Sequence, residues 1–266
     1  MWTELEPLLT VGGIAVAFVV LERLLPARPR RAIRWHRYVT DLLHMFVGGP
    51  LIHLGTMVLL TLLLVLPALV DSSATIASEL PWWLQLAAIF VVSDLIIWLT
   101  HRLFHAVPWL WEFHKIHHSS EDLDWLAAYR FHPVDQILTT TAVMLPWVML
   151  GFSTSAIAAY TFGYGLHSLL LHSNMRFSLG PLGHVINVPR MHHWHHAAHV
   201  EAYDRNFGAQ LLIWDRLFGT LYSPPQPLPE RYGVDDPPKE GFLAHLWAPF
   251  AKRGAAKRAV SPVFQD

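Results

Sequence analysis

Two segments of this chain repeat one histidine spacing: His114-Lys-Ile-His117-His118 and His192-His-Trp-His195-His196. A third, His101-Arg-Leu-Phe-His105, places two more imidazoles four residues apart. On a helix, residues three and four apart share a face, so each cluster can aim its rings at one place. Two such helices facing each other can surround a pair of metal ions. A ninth donor is expected from the apolar stretch before the last cluster. His172, in His172-Ser-Asn, is favoured there and His167 is the competing choice, because a lone histidine on an apolar helix is more often a hydrogen-bonded core residue.

Imidazole serves iron, zinc, copper and nickel alike. Eight or nine donors exceed what one tetrahedral zinc takes, which favours two ions of higher coordination, as expected for iron, with zinc able to substitute. The zinc-protease pattern H-E-x-x-H fails at Arg102, where the general-base glutamate would stand. The Glu-x-x-His pair of soluble carboxylate-bridged di-iron bundles is absent too. A histidine-bound zinc hydrolase and a metal-binding membrane protein without catalysis remain the alternatives to an oxidative enzyme. His132, His193 and His199 stand outside the repeated spacing and are expected in hydrogen bonding or at the surface. His36, His44, His53, His184 and His245 are expected to be structural.

The elements that must position these rings are apolar. Of 266 residues, 53% are hydrophobic and only 15% charged, with mean hydropathy +0.33, which places the chain in a membrane. A net charge of −1 gives no basic field for phosphates, so nucleic acid is not an expected partner. With no cysteine, disulfides, thiolate zinc and iron–sulfur clusters are excluded. Pro7 to Leu25 reads as a first membrane helix, without the basic start or small-residue cleavage site of a signal peptide. Val39 to Val70 can span with tilt or break at Gly48, Gly49 and Pro50, and Pro81 to Thr100 is another span. Ile137 to Leu171 is too long for one crossing and reads as a hairpin turning near Pro146 and Gly151.

Arg28, Arg30, Arg31, Arg34 and Arg37 make one loop basic, whereas the loop around Asp71 and Glu79 is not, so the basic loop is assigned to the cytoplasm. Counting crossings from it brings every histidine cluster to that same face. The expected fold is all-α: a single integral membrane domain over 1–266, a multi-pass helical bundle carrying a cytoplasmic histidine-rich helical cap with a dinuclear metal site. Residues 1–100 are mainly transmembrane, 94–222 form the catalytic region including a 137–171 hairpin, and 223–266 read as a surface or flexible tail. A bacterial inner membrane is the expected location.

From about Asp94 to Tyr222 the chain resembles the fatty acid hydroxylase and sterol desaturase superfamily of membrane di-iron enzymes. The likeness rests on the three histidine boxes in order, Pro108-Trp-Leu-Trp-Glu-Phe-His-Lys-Ile-His-His-Ser119, Arg130-Phe-His-Pro133, His172-Ser-Asn174, Asp204-Arg-Asn-Phe-Gly208 and Ile213-Trp-Asp-Arg-Leu-Phe-Gly-Thr220. The resemblance implies that His101, His105, His114, His117, His118, His172, His192, His195 and His196 hold two iron ions. It implies molecular oxygen as co-substrate and hydroxylation or desaturation of a lipid-like substrate. Asp94, His132 and Asp215 are then expected to hydrogen-bond behind the ligands. No dinucleotide fingerprint is present, so electrons must come from a separate ferredoxin, reductase or cytochrome. Arg102, Lys115, Arg190 and Arg205 are candidate docking residues for it, with solvation or lipid phosphate explaining them equally well.

Overall fold

The computed structural model describes residues 6–29, 34–65, 77 and 79–251. Among them every regular element is helical, apart from three isolated extended bridges. In chain order the helices are α1 (Glu6–Leu24), α2 (Trp35–Leu43), α3 (Gly49–Val65), α4 (Trp82–Ala106) and α5 (Pro108–His118). Then come α6 (Pro133–Met149), α7 (Thr154–His172), α8 (Pro189–His195), α9 (Ile213–Leu217) and α10 (Phe242–Ala251).

α2 and α3 are one continuous helix, joined by a π turn at His44–Gly48. Pro50 has no N–H to give. Widening the ladder just before it, with the Gly49 N–H reaching the His44 carbonyl, carries the helix through without a break. Of the two outcomes expected for this span, the unbroken one is observed; its continuation toward Val70 lies outside the described residues, as do Arg30, Arg31 and Asp71. Trp35–Val65 and α4 are long and apolar enough to cross a membrane. Only 11% and 33% of their apolar windows are buried, so neither is the core helix of a soluble protein. Leu54, Met57, Leu62 and Val65 point outward from α3 as a contiguous apolar surface that water would not tolerate.

α6 and α7 occupy the 137–171 stretch expected to be a membrane hairpin, as two helices separated by a short turn. Pro146 stays inside α6, and the turn falls at Gly151, whose φ of 72° suits a residue without Cβ. Gly151 and Phe152 donate back to Val148 and Trp147, closing the helix end. Ser153 then caps α7 through its hydroxyl. α4, α6 and α7 share a core of Ile89, Ile97, Val143, Trp147, Ala156 and Tyr160. α1 packs through Ile14, Phe18 and Val19 on Trp125, Leu126 and Leu169. Its buried Glu22 accepts from the Trp125 and Asn174 backbone amides, both at 2.9 Å.

Within 223–266, expected as a surface or flexible tail, residues 240–250 dock onto the helices. Glu240 clasps Arg130 through both carboxylate oxygens at 3.1 Å, the Leu246 carbonyl accepts from His132, and fully buried His245 bonds His44 at 2.9 Å. Phe250 stacks edge-on against Phe113 of α5. The Pro and Gly content marks bends that lead to α10 rather than an open end. Lys252, Arg253, Lys257 and Arg258 lie outside the described residues.

Arg130 is the centre of this clasp. Its side chain and that of Asp41 are wholly buried and meet at 2.6 Å. Removing a buried partner strands the other charge. Arg130→Met leaves Asp41 with only Arg37 at 3.9 Å, and the expected loss is about 3–5 kcal/mol of stability. Denaturation in detergent checks this; an unchanged midpoint would show that the clasp contributes nothing.

Candidate metal centre

Nine histidines from four helices converge in two groups. His101, His105, His114, His118 and His195 form one, and His117, His172, His192 and His196 the other, with the donor nitrogens of each within 4.8 Å of one another. These are the nine that sequence and resemblance single out. The two groups do not follow the boxes. Each H-x-x-H-H segment splits: His114 and His118 serve the first group while His117 serves the second, and His192 and His196 serve the second while His195 serves the first.

The local sequence sets this geometry. Pro108 starts α5 one residue after α4 ends, folding α5 back on α4 around Phe104, Leu110 and Phe113. Pro189 starts α8 in the same way, and His196 caps it. α7 ends at His172. His167, the competing choice, lies in neither group; its Nε2 bonds the Asn187 carbonyl at 2.9 Å.

Six of the nine rings are oriented through Nδ1. His101 donates to the Phe207 carbonyl (2.9 Å), His195 to the Arg205 carbonyl (2.7 Å) and His105 to the Asp204 carboxylate (3.1 Å). His114 donates to Asp135 (2.7 Å), His117 to the Arg130 carbonyl (3.2 Å) and His172 to the Ser168 carbonyl (2.8 Å). A carbonyl can only accept, so His101, His117, His172 and His195 carry a proton on Nδ1, and in the neutral ring Nε2 then presents a bare lone pair. His117 and His172 nonetheless aim their Nε2 atoms at each other across 3.2 Å. Two lone pairs repel at that distance unless a cation lies between them. The Nε2 atoms of His101 and His195 are buried without a hydrogen-bond partner.

Electrostatics points the same way. Burial, reinforced by neighbouring imidazoles, pushes His117, His118, His192 and His196 well below the usual histidine pKa, and burial holds His195 down at about 3. Neutral imidazole is the metal-binding form. The Nε2–Nε2 spacings along the groups are 3.2, 3.2, 3.2, 2.9 and 3.1 Å. For metal–nitrogen bonds of about 2.1 Å, right-angled ligands stand about 3.0 Å apart and tetrahedral ones about 3.4 Å. The observed spacings fall within the range of ligands that share one ion.

One loop fixes three rings of the first group. Asp204 and Asn206 both take φ of 57°, rare for residues with Cβ and tolerated best by Asn and Asp. The Asn206 side chain holds Met191 and Tyr222 backbone groups, and Asp204, Arg205 and Phe207 then face His105, His195 and His101. Asp215 stands one layer behind, accepting from the Phe207 and Gly208 amides, Trp98 and Thr220. Asp94 accepts from the Gln210 and Leu211 amides and Trp214. Neither aspartate touches a histidine of the two groups in these bonds; both hold the backbone that does.

His132 departs from its expected place behind the ligands. Its Nδ1 accepts from the Val134 amide, capping α6, and its Nε2 donates to Leu246. Asp135, three residues on, is the side chain that reaches His114. An acid in a first helical turn reads as a dipole partner, so nothing in the sequence directed it to a histidine. Asp135→Asn is expected to weaken metal retention about 10–100-fold with the fold intact, checked by metal content against chelator concentration; full retention would remove Asp135 from the site.

His193 is buried between the Ser173 carbonyl and Tyr232 hydroxyl, and His199 is exposed beside Glu201. Among the candidate docking cations, Lys115 is buried on Glu112 and faces no partner surface.

Residues 86–220 match the Fatty acid hydroxylase family. The chain is 32% identical to an ornithine lipid hydroxylase of Rhizobium tropici over 96% of its own length and 77% of the relative's. It is 34% identical to human alkylglycerol monooxygenase over 54% of this chain, spanning about a third (32%) of that protein. A cholesterol 25-hydroxylase of Mus musculus is 27% identical over 83% of this chain and 76% of the relative. No solved structure matches. The histidine boxes, the loop that orients them and the matched span together place the chain in the fatty acid hydroxylase family.

Proposed function

We propose that this chain is a multi-pass membrane oxygenase that holds two iron ions between its nine clustered histidines and hydroxylates a C–H bond of a membrane lipid. The observation that carries this reading is the pair of clustered histidine groups, with the Nε2 atoms of His117 and His172 facing one another. Bound iron would supply oxygen activation, by which O2, two electrons and two protons convert R–H to R–OH and water. The chain's own part is positional. His101, His105, His114, His118 and His195 hold one ion, and His117, His172, His192 and His196 the other. The 204–207 loop, Asp135, Arg130 and Ser168 orient six of those rings through Nδ1. A cavity of about 60 Å³ beside His101, His114, His117, His172 and His192 admits the carbon to be oxidised.

Hydroxylation is favoured over desaturation because the ornithine lipid, alkylglycerol and cholesterol relatives are all named hydroxylases or monooxygenases. The relative matched over 96% of the chain makes an amino-acid-containing lipid the first substrate to try. Arg28, Arg34 and Arg37 reach residues 120–124, 174 and 232, on the same side as the histidines. With the positive-inside bias, this supports a bacterial inner membrane with the metal site facing the cytoplasm, where a separate ferredoxin, reductase or cytochrome delivers electrons. The test is expression under isotopically labelled oxygen in a host making ornithine lipids, with His195→Ala as control. One labelled oxygen in an aminolipid, absent from the control, is expected; a lipid short of two hydrogens would replace hydroxylation by desaturation.

A further inference from the structure

α10 reads Phe-Leu-Ala-His-Leu-Trp-Ala-Pro-Phe-Ala, with no acidic, lysine or arginine side chain anywhere along it. A helix that is apolar all round must be covered on every side, by protein or by lipid. Protein covers one side. Phe242 packs on His44 with ring centres 5.0 Å apart, His245 is fully buried against the same histidine, and Leu246 gives its carbonyl to His132. On the other side Leu243, Trp247 and Phe250, at the i, i+4, i+7 spacing of one helical face, are 69%, 69% and 50% exposed. Trp109, exposed at the start of α5, extends this stripe through Phe113, whose ring lies 6.3 Å from Trp109 and 5.7 Å from Phe250. Single exposed apolar residues are ordinary, whereas a contiguous stripe of large ones marks a surface that takes an apolar partner.

The level of α10 identifies that partner. It meets the α2–α3 helix at His44 and Gly48, where the outward face of that helix is already apolar through Val39, Phe46, Val47 and Leu51. At about 1.5 Å per residue, Val65 stands about 32 Å beyond His44, close to the roughly 30 Å of a hydrocarbon core. With this helix across the bilayer, its contact with α10 falls at one boundary of the core, a depth that tryptophan favours. α10 also packs on α5, which carries His114, so that boundary is on the histidine side. In sequence, Lys252, Arg253, Lys257 and Arg258 follow directly and supply positive charge that suits anionic headgroups.

We propose that α10 lies in the plane of the membrane, with Leu243, Trp247 and Phe250 sunk into the apolar edge of the histidine-side leaflet, and so seats the histidine-bearing helices on the bilayer. The tie to the metal centre is short. Phe250 abuts Phe113, the residue before His114, and Glu240, just before α10, clasps Arg130, whose carbonyl orients His117. The inference rests on the membrane-spanning part of the proposed function and on nothing in its chemistry.

The chain has no cysteine, so a single introduced thiol takes a nitroxide label at one place only. Leu243→Cys, Trp247→Cys and Phe250→Cys are labelled one at a time in full-length protein in phosphatidylethanolamine–phosphatidylglycerol vesicles at low protein density. Leu54→Cys on the outward face of α3 is the bilayer reference and Glu201→Cys, exposed beside His199, the aqueous one. Spin-label relaxation is read with oxygen, which concentrates in lipid, and with a water-soluble nickel chelate. The three α10 labels are expected about 5–10 Å inside the headgroup boundary, oxygen-accessible like Leu54 but shallower, while the Glu201 label relaxes with nickel. Nickel access at the α10 labels, with Leu54 in the bilayer, would overturn the proposal. So would labels shielded from both reagents, which would mean that a second copy of this chain covers the stripe. Nickel access at Leu54 would contradict the spanning helix itself, and the proposal with it. The three positions are read separately, so one variant that fails to fold leaves two, and neither metal nor turnover enters the measurement.

Discussion

Replacing His192 with alanine is expected to remove about one of two iron ions per chain and lower lipid hydroxylation by more than about 100-fold, above the range for losing an outer hydrogen-bond partner. The second histidine group has four members, so the variant leaves three. His192 is also the ring whose Nε2 lies at 2.9 Å from His172 and 3.1 Å from His196, and its loss opens the middle of that row. The first group has five members. His105→Ala leaves four there and is expected to keep more iron than His192→Ala. Metal analysis and turnover on the same preparations check both. Two iron ions retained by His192→Ala would mean that the second group is not a metal site.

Asp215→Asn should be the most damaging change to a side chain that never meets the histidines. Its carboxylate is fully buried and takes four hydrogen bonds: from Trp98 Nε1 at 3.0 Å, Phe207 N at 2.9 Å, Gly208 N at 2.8 Å and Thr220 Oγ1 at 2.6 Å. An amide must turn its NH2 toward at least one backbone N–H, whichever way it flips. Repacking has no room, because a Cβ at Gly208 would already run into the Leu211 carbonyl and lie 2.8 Å from Asp215 Oδ2. The expected cost is about 3–5 kcal/mol, as for stranding buried polar partners. Phe207, held by this carboxylate, orients His101, so iron should be lost with stability. Thermal unfolding and iron content fall together if Asp215 positions the loop; a stable, iron-depleted variant would instead give it a direct role at the metal.

The nine histidines were legible because their spacing is itself a helical geometry. What the spacing hid was the split of each box. Successive residues advance about 100° around a helix, so positions i and i+4 stay about 40° apart, while i+3 and i+4 diverge by about 100°. Read as one face, the three point together; used at both edges, His114 and His118 serve one group and His117 the other. The break between α6 and α7 was legible from length alone, and it fell at Gly151, where a left-handed residue is needed, rather than at Pro146, which stays inside α6.

Long-range partners were not legible. Asp204 and His105 are 99 residues apart, Arg130 and Glu240 are 110 apart, and His44 and His245 are 201 apart. No local pattern distinguishes such acids and imidazoles from solvated ones. The docked segment 240–251 shows the same limit: its Pro and Gly content describes its bends and says nothing of the buried Arg130 waiting for Glu240.

Metal analysis of the native protein, purified from cells supplied with both iron and zinc, addresses the two-group centre most directly. Two iron ions per chain are predicted, since nine imidazoles in groups of five and four offer more donors than one tetrahedral zinc takes. A single tightly held zinc, or no metal in a folded protein, would contradict the dinuclear site and the oxygen chemistry built on it.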